Sequence, residues 1–370
     1  MGASDRPSQP DPADLLPPVE PIQLLDDAGT LHESTDFPLD LKDDDFLAMH
    51  RHMVLARRAD RQAINLQRQG QLGVWASLLG QEAAQVGTAY ALGPSDWVFP
   101  SYRELACAMV RGLEPEAILH QFRGTWLGDH DPHEHHVAMY AIPIGTQALH
   151  AAGFAMGVAL DKGDLVVACY FGDGATSEGD PHEALNFAAV YDAPCVFVVQ
   201  NNQYAISVPL SLQTRAPTIA HKAVGYGIPG YRCDGNDVVG TYAVMRQAVE
   251  RARRGEGPSL VEAVTYRMEA HTTADDATRY RSEAELSEWK ARDPIARFET
   301  FLEGRGLLDE AARTALDEEA EALGTRLREA IYDAPHGDPT ELFDHVYLDP
   351  PSTYEEQRAQ LQADLEQGQG

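Results

Sequence analysis

The chain has 370 residues, enough for one large α/β domain or two ordinary ones, and its 44% hydrophobic and 24% charged residues are those of a globular protein. Its 29 basic against 58 acidic side chains leave a net charge of −29, which argues against nucleic-acid or anionic-lipid partners, since both need clustered Lys and Arg. No apolar run reaches the roughly 18 residues of a membrane-spanning helix, and the N-terminus lacks the apolar core of a signal peptide.

Residues 1–40 are rich in Pro and Asp with little periodicity, and are expected to form a flexible tail, disordered or draped over a partner. From Asp43 to Gln69 the apolar residues Phe46, Met49, Met53, Leu55, Ala59, Ala63 and Leu66 recur at helical spacing, and Gly70 supplies a stop. Leu165–Phe171 and Cys195–Gln200 are short apolar runs with Gly-Asp-Gly or Asn-Asn at their ends. Between them Pro181–Tyr191 reads as a helix, with Asp180 as its N-cap and Glu183 completing a capping-box-like arrangement. Strand, loop, helix, strand is a βαβ unit, and runs that are apolar on both faces suit a covered parallel sheet. A third run, Ser259–Tyr266, follows a helical stretch from Val238 to Arg254.

The fold class is therefore α/β, a doubly wound, mostly parallel sheet flanked by helices, with a helical C-terminal extension. The α/β domain is expected over 41–282, a helical part of the same unit over 283–345, packed across the domain or onto another subunit, and an acidic tail over 346–370. Four scattered cysteines, Cys107, Cys169, Cys195 and Cys233, form no Cys-x-x-Cys pair. They suit reduced thiols, so a cytoplasmic protein is expected.

In open parallel sheets ligands bind beyond the C-terminal ends of the strands. Gly172-Asp173-Gly174 and Asn201-Asn202 sit at two such ends. Asp173 offers a hard anionic oxygen and Asn202 a neutral one, while the glycines admit a phosphate close to the backbone. A magnesium ion completed by phosphate oxygens fits that kit. Gly172 and Gly174 do not extend to a Gly-x-Gly-x-x-Gly, because the next glycine is Gly179, and no acidic residue ends the second run at Gln200. A nicotinamide site is disfavoured on both counts.

Extended as GDGATSEGDPHEALNFAAVYDAPCVFVVQNNQYAIS, this region resembles the α subunit of the thiamine-diphosphate-dependent, decarboxylating first component of 2-oxoacid dehydrogenase complexes. The resemblance runs from about residue 45 to 345 and implies the thiamine-diphosphate-binding fold. It implies magnesium ligands at Asp173, Asn202 and the main-chain carbonyl of Tyr204. Diphosphate contacts are implied at Tyr102 and Arg103 of Tyr-Arg-Glu, where the forked guanidinium suits phosphate oxygens. They are also implied at Gly172, Gly174, Ala175, Glu178 and Gln200, and many relatives carry Arg where Gln200 stands. The segment around Ile142 and Ile144 resembles the one whose backbone meets the aminopyrimidine ring. Pro143, Thr146 and Gln147 resemble a potassium site of some members, although Ala141 and Ile142 stand where serines are often found.

His271, in a loop with Thr272, Asp275, Asp276 and Arg281, matches the family histidine that faces the thiazolium end of the cofactor, where an acid/base group is useful. It is the expected catalytic residue. Thr272 and Ser282 stand where some eukaryotic relatives are phosphorylated, and no such control is expected here. His130, His133, His135 and His136, with Asp129, Asp131 and Glu134, have metal-like content without metal-like spacing, and read as a solvated loop.

The family activates the cofactor with a glutamate from a separate domain. The resemblance thus implies a β subunit, an α2β2 heterotetramer and a lipoyl-bearing dihydrolipoamide acyltransferase core. The His-Thr-Thr-Ala-Asp-Asp stretch is most similar to branched-chain 2-oxoacid dehydrogenases; pyruvate and acetoin dehydrogenases share much of the cofactor site.

Overall fold

A computed structural model describes residues 11–124, 130–334, 337–344 and 346–368. The chain opens with helix α1 (Asp43–Arg68) and α2 (Glu82–Tyr90), followed by strand β1 (Trp97–Phe99). Helices α3 (Leu105–Val110), α4 (Pro115–Arg123), α5 (Pro132–His135) and α6 (Thr146–Leu160) lead to β2 (Val167–Gly172). Next come α7 (Gly179–Val190), β3 (Cys195–Asn201), the short ladder of β4 (Tyr204–Ala205) and β5 (Val208–Pro209), and α8 (Leu210–Gln213). After β6 (Gly230–Asp234), α9 (Val238–Arg253) and β7 (Ser259–Val264) the chain is helical, with α10 (Glu283–Lys290), α11 (Pro294–Gly304), α12 (Glu310–Tyr332) and α13 (Ser352–Glu366).

The expected sheet is present: five parallel strands in the order β1-β2-β3-β7-β6. Alternate residues of the central strands face opposite layers, as a pleat requires. Cys169, Phe171, Phe197 and Val199 meet the alanine-rich faces of α6 and α7. Ala168, Tyr170, Val196 and Val198 meet α9 and α2 through Val244, Met245, Ala248 and Ala84. Both faces are thus buried, which is why these strands read as continuous apolar runs.

A third core lies away from the sheet. Met49, Met53 and Leu66 of α1 pack against Phe298 and Leu302 of α11 and Leu323, Leu327 and Ile331 of α12. The C-terminal helices therefore cover α1 of their own chain. Helix α1 starts with three acidic residues, Asp43–Asp45, at its positive dipole end. Gly70, in the left-handed region with φ 75°, follows its C-cap.

Two expectations need correction. The stretch 1–40 is not a tail from Ile22 onward. Ile22 bridges to Cys233 on the sheet edge, with Ile22 N–H donating to Arg232 O (2.8 Å) and Asp234 N–H to Ile22 O (2.9 Å). Leu24 and Leu25 are buried, and the Asp237 carboxylate at the start of α9 accepts both their N–H groups (2.7 and 2.8 Å). An edge strand with free backbone groups and two leucines in need of cover explain the docking. Helix α7 begins at Gly179, so Asp180 lies in its first turn and not at its cap. A 3-10 turn over Asp173–Ser177 runs straight into the helix and places Glu178 at the N-cap. The stretch 346–370 contains α13, whose Tyr354 meets Phe343 edge-on at 4.9 Å. No helix among the described residues is long and apolar enough to cross a membrane.

Candidate active site

The C-terminal ends of β1, β2, β3 and β7 surround a cleft with about 800 Å³ of empty space continuous with solvent. From β1 come Ser101, Tyr102, Arg103 and Glu104; from β2 come Gly172, Asp173, Gly174 and Ala175. Strand β3 and its extension give Gln200, Asn202, Tyr204, Ala205 and Ile206, and the chain after β7 gives Arg267 and His271. Glu178 and, from the start of α6, Ile144, Gly145 and Gln147 complete this part of the wall.

Gly174 is a steric necessity. A Cβ there would stand 2.8 Å from the Cβ of Ala205, so only glycine lets the Asp173 turn approach β4 this closely. The Asp173 carboxylate is buried, and burial pushes its proton affinity up while a hydrogen bond from Gln213 Nε2 (2.6 Å) holds it down.

Asn202 donates through Nδ2 to Gln81 Oε1 at 3.1 Å. In that orientation its Oδ1 stands 3.2 Å from Asp173 Oδ1 and 3.2 Å from the Tyr204 carbonyl. Turned over, the amide donates to both through Nδ2; in the first orientation its Oδ1 joins the Asp173 carboxylate and the Tyr204 carbonyl as a third oxygen, a donor set that suits a hard cation. Arg267 Nη1 also donates to the Tyr204 carbonyl (3.2 Å), fixing its direction.

Arg103 is buried and spans two segments. Nη1 donates to the Ser77 carbonyl (2.5 Å) and Nη2 to the His271 carbonyl (3.0 Å). Gln200, expected to border the diphosphate, is engaged within the protein. Its Nε2 donates to the buried Glu104 carboxylate (2.5 Å) and its Oε1 accepts from Gln85 (2.9 Å). Burial raises the proton affinity of Glu104, and the hydrogen bonds from Ser101, Arg103 N–H and Gln200 oppose the rise.

His271 follows β7 in a loop strapped by Arg281, which donates to the carbonyls of Arg267, Met268 and Glu269. The His271 N–H donates to Asp275 Oδ2 (2.9 Å). Its Nδ1 lies 3.4 Å from both Arg103 Nη2 and Arg267 Nη1. Two cationic donors facing Nδ1 assign the ring proton to Nε2. Burial first, then these two charges, pull the imidazole pKa down to about 4, with Asp275 opposing.

Three predicted positions stay outside this assembly, and of these Pro143 and Thr146 belong to the expected potassium site. Ile142 is 60% exposed and also lies outside it. Gln147 is in it: Nε2 donates to the Tyr170 carbonyl (2.8 Å), while its buried Oε1 has no hydrogen-bond partner. Of the histidine-rich loop, His133 and His136 rest edge-on against Trp97 (5.3 and 5.5 Å), and His130 Nε2 meets the Val137 carbonyl (2.9 Å). Asp129 lies outside the described residues.

Sequence reasoning missed Gln81, Ser101, Gln213 and Arg267, and read Glu104 only as part of Tyr-Arg-Glu. For Arg267 there was a signal, a basic residue directly after an apolar strand and four positions before His271.

Fold and cleft together define an α/β protein with a five-stranded parallel sheet and a cleft at its strand ends lined by Asp173, Asn202, Arg103 and His271. Residues 50–338 match the model of the family described as dehydrogenase E1 component. The chain is 49% identical over 347 residues to the 3-methyl-2-oxobutanoate dehydrogenase subunit alpha of Mycobacterium tuberculosis, covering 94% of this chain and 95% of that protein. It is 40% identical over 343 residues to the pyruvate dehydrogenase E1 component subunit alpha of Staphylococcus aureus, covering 91% of each. The chain belongs to the dehydrogenase E1 component family.

Proposed function

We propose that this chain is the α subunit of a cytoplasmic thiamine-diphosphate-dependent 2-oxoacid dehydrogenase that decarboxylates a branched-chain 2-oxo acid such as 3-methyl-2-oxobutanoate. The observation that carries the reading is that Asp173, the Asn202 side chain and the Tyr204 carbonyl meet at the strand ends, beside Arg103 and His271 in one cleft. Those three oxygens would hold magnesium. Tyr102, Arg103, Gly172, Gly174, Ala175, Glu178, Gln200 and His271 would border the diphosphate, with the backbone at Ile142 and Ile144 near the aminopyrimidine. The buried, unpartnered Oε1 of Gln147 supports a potassium ion there, with Pro143 and Thr146 as its other neighbours.

When bound, thiamine diphosphate supplies the electron sink for decarboxylation. The protein's part is orientation and proton placement. Arg103 presents a fork of donors whose direction is set by the Ser77 and His271 carbonyls. Neutral His271 offers Nε2–H to an oxygen that gains charge, and a neutral donor there needs no prior deprotonation near pH 7.

The names of the relatives as alpha subunits support a β partner; the proposal completes this as an α2β2 heterotetramer that passes the acyl group to a lipoyl-bearing acyltransferase. The test is decarboxylation with an artificial electron acceptor, with magnesium and thiamine diphosphate, using this chain alone and paired with its β subunit. Activity is expected only in the pair, with a higher kcat/KM on 3-methyl-2-oxobutanoate than on pyruvate. A preference for pyruvate would overturn the substrate and keep the chemistry. Failure of the pair to bind thiamine diphosphate would overturn the reading.

A further inference from the structure

Asp60 projects from the inner face of α1, nearly fully buried, and touches no group that lines the cleft. Its Oδ1 accepts the Trp75 indole N–H (2.8 Å) and the Leu78 backbone N–H (3.1 Å). Its Oδ2 accepts the Ser77 hydroxyl (2.6 Å). One carboxylate therefore fixes three of the four residues 75–78. Burial pushes it up to about 6, so at neutral pH the ionised, acceptor-only form meets the three donors.

The stretch it fixes is bonded to the loop on both sides of His271. Trp75 N–H donates to Thr273 Oγ1 (3.0 Å) and the Trp75 carbonyl accepts Thr273 N–H (2.9 Å). The Leu79 carbonyl accepts Met268 N–H (3.1 Å). The Ser77 carbonyl holds one arm of Arg103, whose other arm holds the His271 carbonyl. Filling this place in the core would need only volume, and an apolar side chain would avoid the cost of burying a charge. A polar side chain with an acceptor oxygen is needed where the Trp75 and Leu78 donors and the Ser77 hydroxyl must be held in one geometry.

We propose that Asp60 is a positioning residue, which holds residues 75–79 as a rigid frame and thereby sets where His271 and Arg103 stand in the cleft. The inference rests on the reading of those two residues given above.

The test uses the full-length chain carrying Asp60→Ala, Asp60→Asn or Thr273→Val, read by amide hydrogen exchange and by thiamine diphosphate binding with magnesium in the assembled enzyme. In Asp60→Ala, exchange over residues 268–275 should quicken by about tenfold or more while β2, β3 and α6 keep their protection, because a lost buried acceptor leaves its donors unpaired. The apparent affinity for thiamine diphosphate should fall by a similar factor, about tenfold. Asp60→Asn should restore both, since its Oδ1 keeps the Trp75 and Leu78 donors and its amide can donate to the Ser77 hydroxyl. Thr273→Val leaves the α1 core intact and should loosen the same loop, which keeps the proposal falsifiable if Asp60→Ala does not fold. Wild-type exchange over 268–275 in Thr273→Val and Asp60→Ala would overturn it, as would loss of protection throughout Asp60→Ala with Thr273→Val unchanged. If the wild-type enzyme does not bind thiamine diphosphate, the reading of the cleft fails, and the exchange data still decide the frame.

Discussion

A histidine with two guanidinium groups on one ring nitrogen is held neutral, and the consequence is measurable. With a folded pKa near 4 against an ordinary 6.5, His271 binds fewer protons in the folded than in the unfolded chain between those values. Its contribution to stability is then complete above pH 6.5 and is lost as pH falls toward 4. In the cofactor-free chain, its imidazole carbon shifts should report the neutral ring from about pH 8 down to about pH 5. His271→Asn should flatten the acid side of the stability curve in the same range. A midpoint near 6.5 would mean that the ring is neither buried nor faced by Arg103 and Arg267 in solution. Asp173 permits a second test at this scale. As the one anionic oxygen among the three that converge, its replacement by Ala should weaken magnesium-dependent thiamine diphosphate binding by about a hundredfold or more in titration calorimetry, with the fold retained.

At the scale of elements, what was legible in the sequence was whatever is decided locally. Strands β2, β3 and β7 announced themselves because a parallel sheet covered on both faces demands unbroken apolar runs, and α1 because its buried stripe repeats every three to four residues. The Asp173 and Asn202 corners were readable because both end such runs. What escaped depends on partners distant in sequence. The anchoring of Leu24 and Leu25 is carried by Asp237, 213 and 212 residues away. Arg267 and Gln81 acquire their roles only when β7 and α2 arrive beside Tyr204 and Asn202. The same contrast gives a prediction about the N-terminal segment. If it were a tail, Leu25→Ala would be neutral. Because Leu25 is fully buried, the substitution should cost about 2–5 kcal/mol in denaturant unfolding.

For the whole molecule, the cleft has a polar, charged floor built by Asp173, Asn202, Arg103 and His271 and a mouth that is open and partly apolar. Ile144 and Ile206 line the cleft and are nonetheless 45% and 55% exposed, and Ile142, Val208 and Leu212, near them in sequence, are exposed too. Apolar side chains gathered at a functional opening mark a surface that another protein covers. A partner seated there would bury the rim, exclude water from His271 and strengthen the donors that face the bound ligand. The double substitution Ile144→Asp/Ile206→Asp puts two charges into that contact without disturbing a core position. The variant chain should melt at the wild-type temperature and should still bind magnesium. In sedimentation velocity with the β subunit, however, the assembled species should be lost, and decarboxylation should fall with it to the level of the isolated chain. Retained assembly with full activity would place the partner's contact elsewhere on the molecule and leave the open mouth to substrate alone.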